Sequence, residues 1–168
     1  REGENLRYCQ YLQVPKNKDC YDASAWGANM ELHYETCLSG SNSYNVKFSS
    51  DCWPNAKNLE YCMSLFSCSD CFGCVGLKKK QYHILNKQYT KETYFEMIEK
   101  IKNHMYEMPF VDKKGRFYKY GEFFPIEHSP FGYNNSTSIQ YFSMTKLKAE
   151  ENGYPWIEIA RGEYIITK

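Results

Sequence analysis

No cysteine lies beyond Cys74, no apolar run exceeds a few residues, and neither sign of charge dominates. Lys and Arg number 21 against 20 Asp and Glu, a formal charge of +1 over 168 residues. Each shortage excludes something. A transmembrane helix needs roughly 20 apolar residues in a row, so none is expected. Without surplus positive charge, no strong pull toward nucleic acid or anionic lipid is expected either. The chain opens on Arg1 with no charged and apolar leader. It is therefore read as an internal piece of a longer protein, and as cytoplasmic.

What is present is unusual. Aromatic residues make up 17%, with 16 Tyr, and all eight Cys fall between Cys9 and Cys74. An even cysteine count suits four disulfides in an oxidising compartment, where the sequons Asn134-Asn135-Ser136 and Asn135-Ser136-Thr137 would also matter. Free cysteine, however, is among the most buried residue types. A chain of this length buries about 70% of its unfolded surface and needs no staple. Buried thiols, disulfides and metal ligation all stay open at this point.

Repeats organise the first half. Asn5-Leu6-Arg7-Tyr8-Cys9 returns as Met30-Glu31-Leu32-His33-Tyr34 and as Asn58-Leu59-Glu60-Tyr61-Cys62, about 26 residues apart. A second phrase interleaves: Asp19-Cys20-Tyr21-Asp22, Asn42-Ser43-Tyr44-Asn45 and Asp70-Cys71-Phe72-Gly73. A short strand-like element thus recurs about every dozen residues, separated by Asn, Asp, Ser and Gly, which tolerate left-handed backbone. Read as a turn of roughly 24–27 residues, this pattern predicts a parallel β-solenoid whose equivalent residues stack about 4.8 Å apart. Leu6, Leu32 and Leu59 should then stack in successive rungs. A meandering antiparallel sandwich is the competing arrangement.

The pattern changes at Thr90. Thr90 caps a helix over 91–108, whose apolar stripe is Tyr94, Ile98, Ile101, Met105 and Met108, with Glu96 and Lys100 paired beside it. A helix laid across the solenoid end would cap it. Beyond Pro109 the spacing predicts two short strands around Asp112-Lys113-Lys114-Gly115. A short helix from Thr145 to Glu151 follows, and a terminal hairpin joins Trp156–Ile159 to Glu163–Ile166. The expected organisation is a β-repeat region over 1–89, a capping helix over 90–109 and a small aromatic-rich α+β region over 110–168.

Two local patterns point to chemistry. Cys68, Cys71 and Cys74, with Cys62 (or Cys52) as fourth ligand, have the spacing of half a zinc ribbon, but the second C-x-x-C knuckle is missing. Equally, Cys71 aligns with Cys20 as a residue of the repeat. Lys78, Lys79 and Lys80, followed by Tyr82, form the only basic run with an aromatic residue that can stack a base. His33, His83, His104 and His128 are scattered, and Glu122 and Glu127 specify no geometry. No phosphate loop, nucleophile elbow or H-E-x-x-H motif occurs.

A resemblance covers two stretches closely and residues 17–156 loosely. Cys71-Phe72-Gly73-Cys74-Val75-Gly76-Leu77-Lys78-Lys79-Lys80-Gln81-Tyr82 and its continuation to Glu92 resemble the FGCVGL-x-NKQY signature. Gly121-Glu122-Phe123-Phe124-Pro125 and Ser129-Pro130-Phe131-Gly132-Tyr133-Asn134 resemble the segment that follows it, as do Tyr141-Phe142 and Gly153-Tyr154-Pro155-Trp156. The signature belongs to an uncharacterised family of Cys/Asn/Tyr-rich repeat proteins of reduced-genome bacteria known mainly from metagenomes. The resemblance implies stacked repeats within a longer parent protein, often with a zinc-binding region upstream, and transfers no activity. Lys79 departs from the signature, which has Asn there.

The residues together predict a mainly β protein. A short parallel β-solenoid over 5–89 leads into a helix and a small α+β cap. The expected role is non-enzymatic, a structural or partner-binding module without a cofactor. It would meet a protein partner, or the rest of its parent chain, through the Tyr-rich face or the cap. The alternative is a zinc-stabilised nucleic-acid-binding module using Cys62, Cys68, Cys71 and Cys74 with Lys78–Lys80.

Overall fold

A computed structural model describes residues 3–12 and 16–158. The first half is a parallel β-solenoid of about six coils. Its strands are β1 (Gly3–Glu4), β2 (Asn17–Ser24), β3 (Met30–Cys37), β4 (Ser43–Ser50), β5 (Lys57–Glu60), β6 (Ser69–Phe72) and β7 (Gln81–Ile84), stacked in chain order. β8 (Lys87–Gln88) then turns back antiparallel on β7. That return strand occupies the edge at which another parallel coil would otherwise add.

One coil takes about a dozen residues, not two dozen. Register advances by 14 residues at the start (Gly3 to Asn17), 13 in the middle (Met30 to Ser43) and 12 at the end (Leu59 to Cys71). The local cause is a three-residue step. Nearly every third residue from Asn5 to Asn86 has φ between +47° and +81°, and every non-glycine positive φ among the described residues lies in that span. Asn, Asp, Gly and Ser supply most of these corners because they enter the left-handed region at least cost. Between corners, one side chain points in and one points out.

The expected leucine stack does not form. Leu59 is fully buried between Val46 and Cys71, whereas Leu32 is itself a left-handed corner (φ 56°), 40% exposed. The inward column containing Leu59 reads Cys20, His33, Val46, Leu59, Cys71, His83. Its neighbour carries Ala23, Thr36, Ser49, Cys62 and Cys74. Cys20 and Cys71 do share a column, as the repeats implied.

Two apolar segments fill the interior. Cys20, Ala23 and Met30 form one, and Val46, Cys52, Leu59, Leu65 and the later cysteines form the other. Polar residues His33, Thr36, Ser39, Ser43 and Ser49 separate them. This layer is internally satisfied. His33 Nδ1 meets Thr36 Oγ1 at 3.3 Å and Nε2 meets Ser43 Oγ at 2.8 Å, while Ser39 and Ser49 accept the N–H groups of Cys52 and Cys62. Burial of such groups is tolerable only with partners of this kind.

Helix α1 (Lys91–Glu107) starts at Thr90, whose side chain accepts the Thr93 N–H at 3.3 Å. It runs along the side of the coils instead of across their end. Tyr94 and Ile98 are buried with Phe48, Tyr61, Phe72 and Ile84, and Ile101 and Met105 pack beside them. Packing there buries the apolar stripe against the aromatic side wall of the coils. Lys102 meets Glu60 at 3.2 Å and lies 4.6 Å from the Tyr120 ring. Residues 118–123 belong to this unit as well: the Tyr61 hydroxyl donates to the Glu122 carbonyl (2.9 Å) and accepts the Gly121 N–H (3.0 Å).

A second compact unit comprises, among the described residues, 110–117 with 124–158. Strand β9 (Phe110–Val111) pairs with β10 (Phe117–Tyr118), whose last residue already belongs to the first unit, and single helical turns follow at Ile126–His128 and Tyr133–Asn135. Helices α2 (Ser138–Tyr141) and α3 (Lys146–Glu151) complete it, with the Thr145 side chain capping α3. The hairpin expected at 156–166 lies largely outside the described residues.

Candidate functional site

The corners decide what the cysteines do. At many of them the carbonyl before a left-handed residue turns inward, and a polar side chain after it answers. Cys9, Cys20, Cys52, Cys62, Cys68, Cys71 and Cys74 each donate a thiol to the carbonyl two residues back, at 3.3–3.5 Å. Ser39 and Ser49 make the same contact with hydroxyls, and His83 with Nδ1 at 2.7 Å. Cysteine suits such a position because it is small, carries one donor and remains largely apolar, while Ala23, Val46 and Leu59 fill equivalent positions by packing alone. Cys37 follows Thr36, which is not a left-handed corner, and points outward.

All eight cysteines are free thiols. Burial pushes the Cys20 thiol up to about 11 and that of Cys52 up to about 12. Burial likewise raises Cys62. Cys71 is raised too, chiefly by its interaction with the Cys74 sulfur and then by burial. Cys74 is pulled the other way, first by the neighbouring Cys62 and Cys71 sulfurs and then by the Asn86 N–H, which it accepts at 3.4 Å. A protonated thiol with no accessible surface is a poor nucleophile toward dissolved substrate.

Cys62, Cys68, Cys71 and Cys74 occupy inward positions of adjacent coils, with Cys74 directly above Cys62. Among the described residues, no three His, Cys, Asp or Glu side chains are arranged to hold a metal ion. The three lysines are exposed but differently placed. Lys78 pairs with Phe66 across coils, Lys79 is a left-handed corner, and the Lys80 N–H donates to the Cys68 sulfur at 3.4 Å. Tyr82 is half-buried, its ring against Tyr94 (5.7 Å) and Phe95 (6.3 Å) of α1. His33 and His83 are interior, His104 is on α1, and His128 lies 3.9 Å from Glu127. Glu122 falls in the first unit and Glu127 in the second.

The outward columns present more. One aromatic ladder runs Tyr8, Tyr21, Tyr34, Phe48, Tyr61, Phe72, with successive ring centroids 4.8–5.5 Å apart. Its later members are buried under α1, whereas Tyr21 is 39% and Tyr8 72% exposed. A second, half-buried ladder joins Trp26, Trp53 and Phe66 edge to face at 5.3 and 5.4 Å, and Lys78 continues its line. That ladder was not foreseeable from 26 and 53, since Gly40 stands between them in the stack. A groove of about 610 Å³ follows the face of β1–β4, where Glu4, Lys18, Glu31 and Tyr44 succeed one another in register. No helix among the described residues is long and apolar enough to cross a membrane. No family model, curated protein or solved structure matches the chain.

Proposed function

We propose that the protein is a non-catalytic repeat module that docks a partner segment along its tyrosine ladder. The observation that carries this reading is the ladder's continuity with a contact the chain makes to itself. Phe48, Tyr61 and Phe72 receive the apolar stripe of α1, and the same ladder runs on to Tyr34, Tyr21 and Tyr8. An amphipathic segment of another chain, or of a longer parent protein, would meet the same chemistry there. The attachment is non-covalent. Tyrosine buries much area with few rotatable bonds, and the stacked coils hold each ring in place before the partner arrives.

Selection of amphipathic peptides from a displayed library against the full chain tests this. Peptides with apolar residues at i and i+4 should be recovered, and Tyr8→Ala with Tyr21→Ala should weaken them about tenfold or more, the range of anchor residues. Binding that ignores both substitutions and falls instead on changing Lys78–Lys80 would favour the nucleic-acid alternative. One equivalent of zinc in protein purified without added metal would favour the zinc-stabilised form of it.

A further inference from the structure

The second unit contains a cleft that the ladder reading does not use. Its volume is about 330 Å³, at the small end of ligand sites. One wall is the β9–β10 turn, with Lys113, Lys114 and Arg116, and the other is the segment from Gly153 to Trp156. The turn is fixed from beneath. Asp112, 5% exposed, accepts the N–H groups of Lys114 and Arg116 at 2.9 Å each and Arg116 Nε at 2.6 Å. Gly153 sits at φ +79°, and a Cβ there would meet Lys114 Cγ at 2.9 Å, so the turn after α3 presses on the lysine stem. The far wall is held by the Tyr154 ring stacked on Tyr133 at 5.2 Å. Asn134 adds to it by clasping both the N–H and the carbonyl of Ile157. A cleft held on both sides needs little rearrangement to receive a ligand.

Charge decides what enters. Arg116 is neutralised by Asp112. Two carboxylates share the rim: Glu127 accepts the Lys113 backbone N–H at 3.1 Å, and Glu150 lies on α3. The ammonium groups of Lys113 and Lys114 have no carboxylate partner among the described residues. Two free ammoniums beside an indole suit an anionic head joined to a flat ring, since lysine binds phosphate as a point charge and the ring face of tryptophan stacks. We propose that this cleft binds a nucleoside monophosphate, with the phosphate on Lys113 and Lys114 and the base against Trp156.

Adenosine monophosphate, adenosine and inorganic phosphate, titrated separately into the full chain and followed by the Trp156 indole resonance, test the assignment. The monophosphate should saturate, and each half-ligand should bind about tenfold more weakly, because both contacts are needed. Lys113→Gln with Lys114→Gln should weaken the monophosphate about tenfold, leave adenosine unchanged and leave thermal unfolding unchanged. Trp156→Leu, titrated by calorimetry because the indole signal is lost, should abolish the difference between monophosphate and inorganic phosphate. Failure of the monophosphate to saturate would overturn the proposal. So would equal binding of inorganic phosphate to the native chain, or indifference to the lysine pair.

Discussion

At Asp19, Asp51 and Asp70 the backbone turns left-handed, φ 50–56°, and the cysteine that follows donates to the carbonyl that precedes. Repetition of this corner builds the coil, and it makes residue-scale predictions. Leu32 is a corner at φ 56° with no polar side chain to support the left-handed turn, and it interrupts a side-chain ladder in which Asn5 bonds Asp19 and Asn45 bonds Asn58. Leu32→Asn should raise stability by about 1 kcal/mol, measured by urea unfolding, because asparagine enters the left-handed region more cheaply. Lys79 stands at another corner (φ 53°). His33 makes a pH prediction. Burial lowers its pKa from 6.5 to about 4. The unfolded chain therefore binds this proton more tightly, so the stability is complete above about pH 6.5 and falls as pH drops toward 4, by about 3 kcal/mol in all. His33→Val should flatten that window in pH-dependent unfolding, and an unchanged acid slope would place the proton elsewhere. The Asp-Cys dipeptides were legible in the sequence as turns followed by interior residues. The thiol-to-carbonyl contact was not, because it depends on the direction of a backbone group.

Among elements, α1 was the most legible: Thr90, the stripe from Tyr94 to Met105 and the stop at Pro109 all hold their expected places. Its destination was hidden, since a stripe records that a face is buried but not against what. Ile98→Ala should cost about 2–4 kcal/mol through lost packing against the aromatic wall, while Met108→Ala, at a side chain 69% exposed, should cost almost nothing. Calorimetric unfolding of both variants separates this placement from one in which the stripe's last residue is also covered. Coil length was misread for a related reason. The recurrence spans two coils, and the step from Leu32 to Leu59 is one residue longer than two 13-residue coils. A one-residue offset moves a side chain from corner to interior, so identical leucines do unlike jobs.

For the molecule as a whole, the buried cysteines before residue 75 line the narrow interior of the coils together with Val46, Leu59 and Leu65. The same chain should show eight reactive thiols in denaturant without reductant. Folded, it should show slow reaction at Cys20, Cys52, Cys62, Cys68, Cys71 and Cys74, and fewer than eight would mean disulfides. The cleft around Lys113 and the Trp26–Trp53–Phe66 ladder could not be read beforehand, because both join residues whose proximity exists only after folding. The most direct check on the coil itself is a proton–proton contact spectrum of the labelled, folded chain. One coil per dozen residues predicts close contacts linking His33 to Val46, Val46 to Leu59 and Leu59 to Cys71. Contacts linking Leu6 to Leu32 and Leu32 to Leu59 in their place would contradict it.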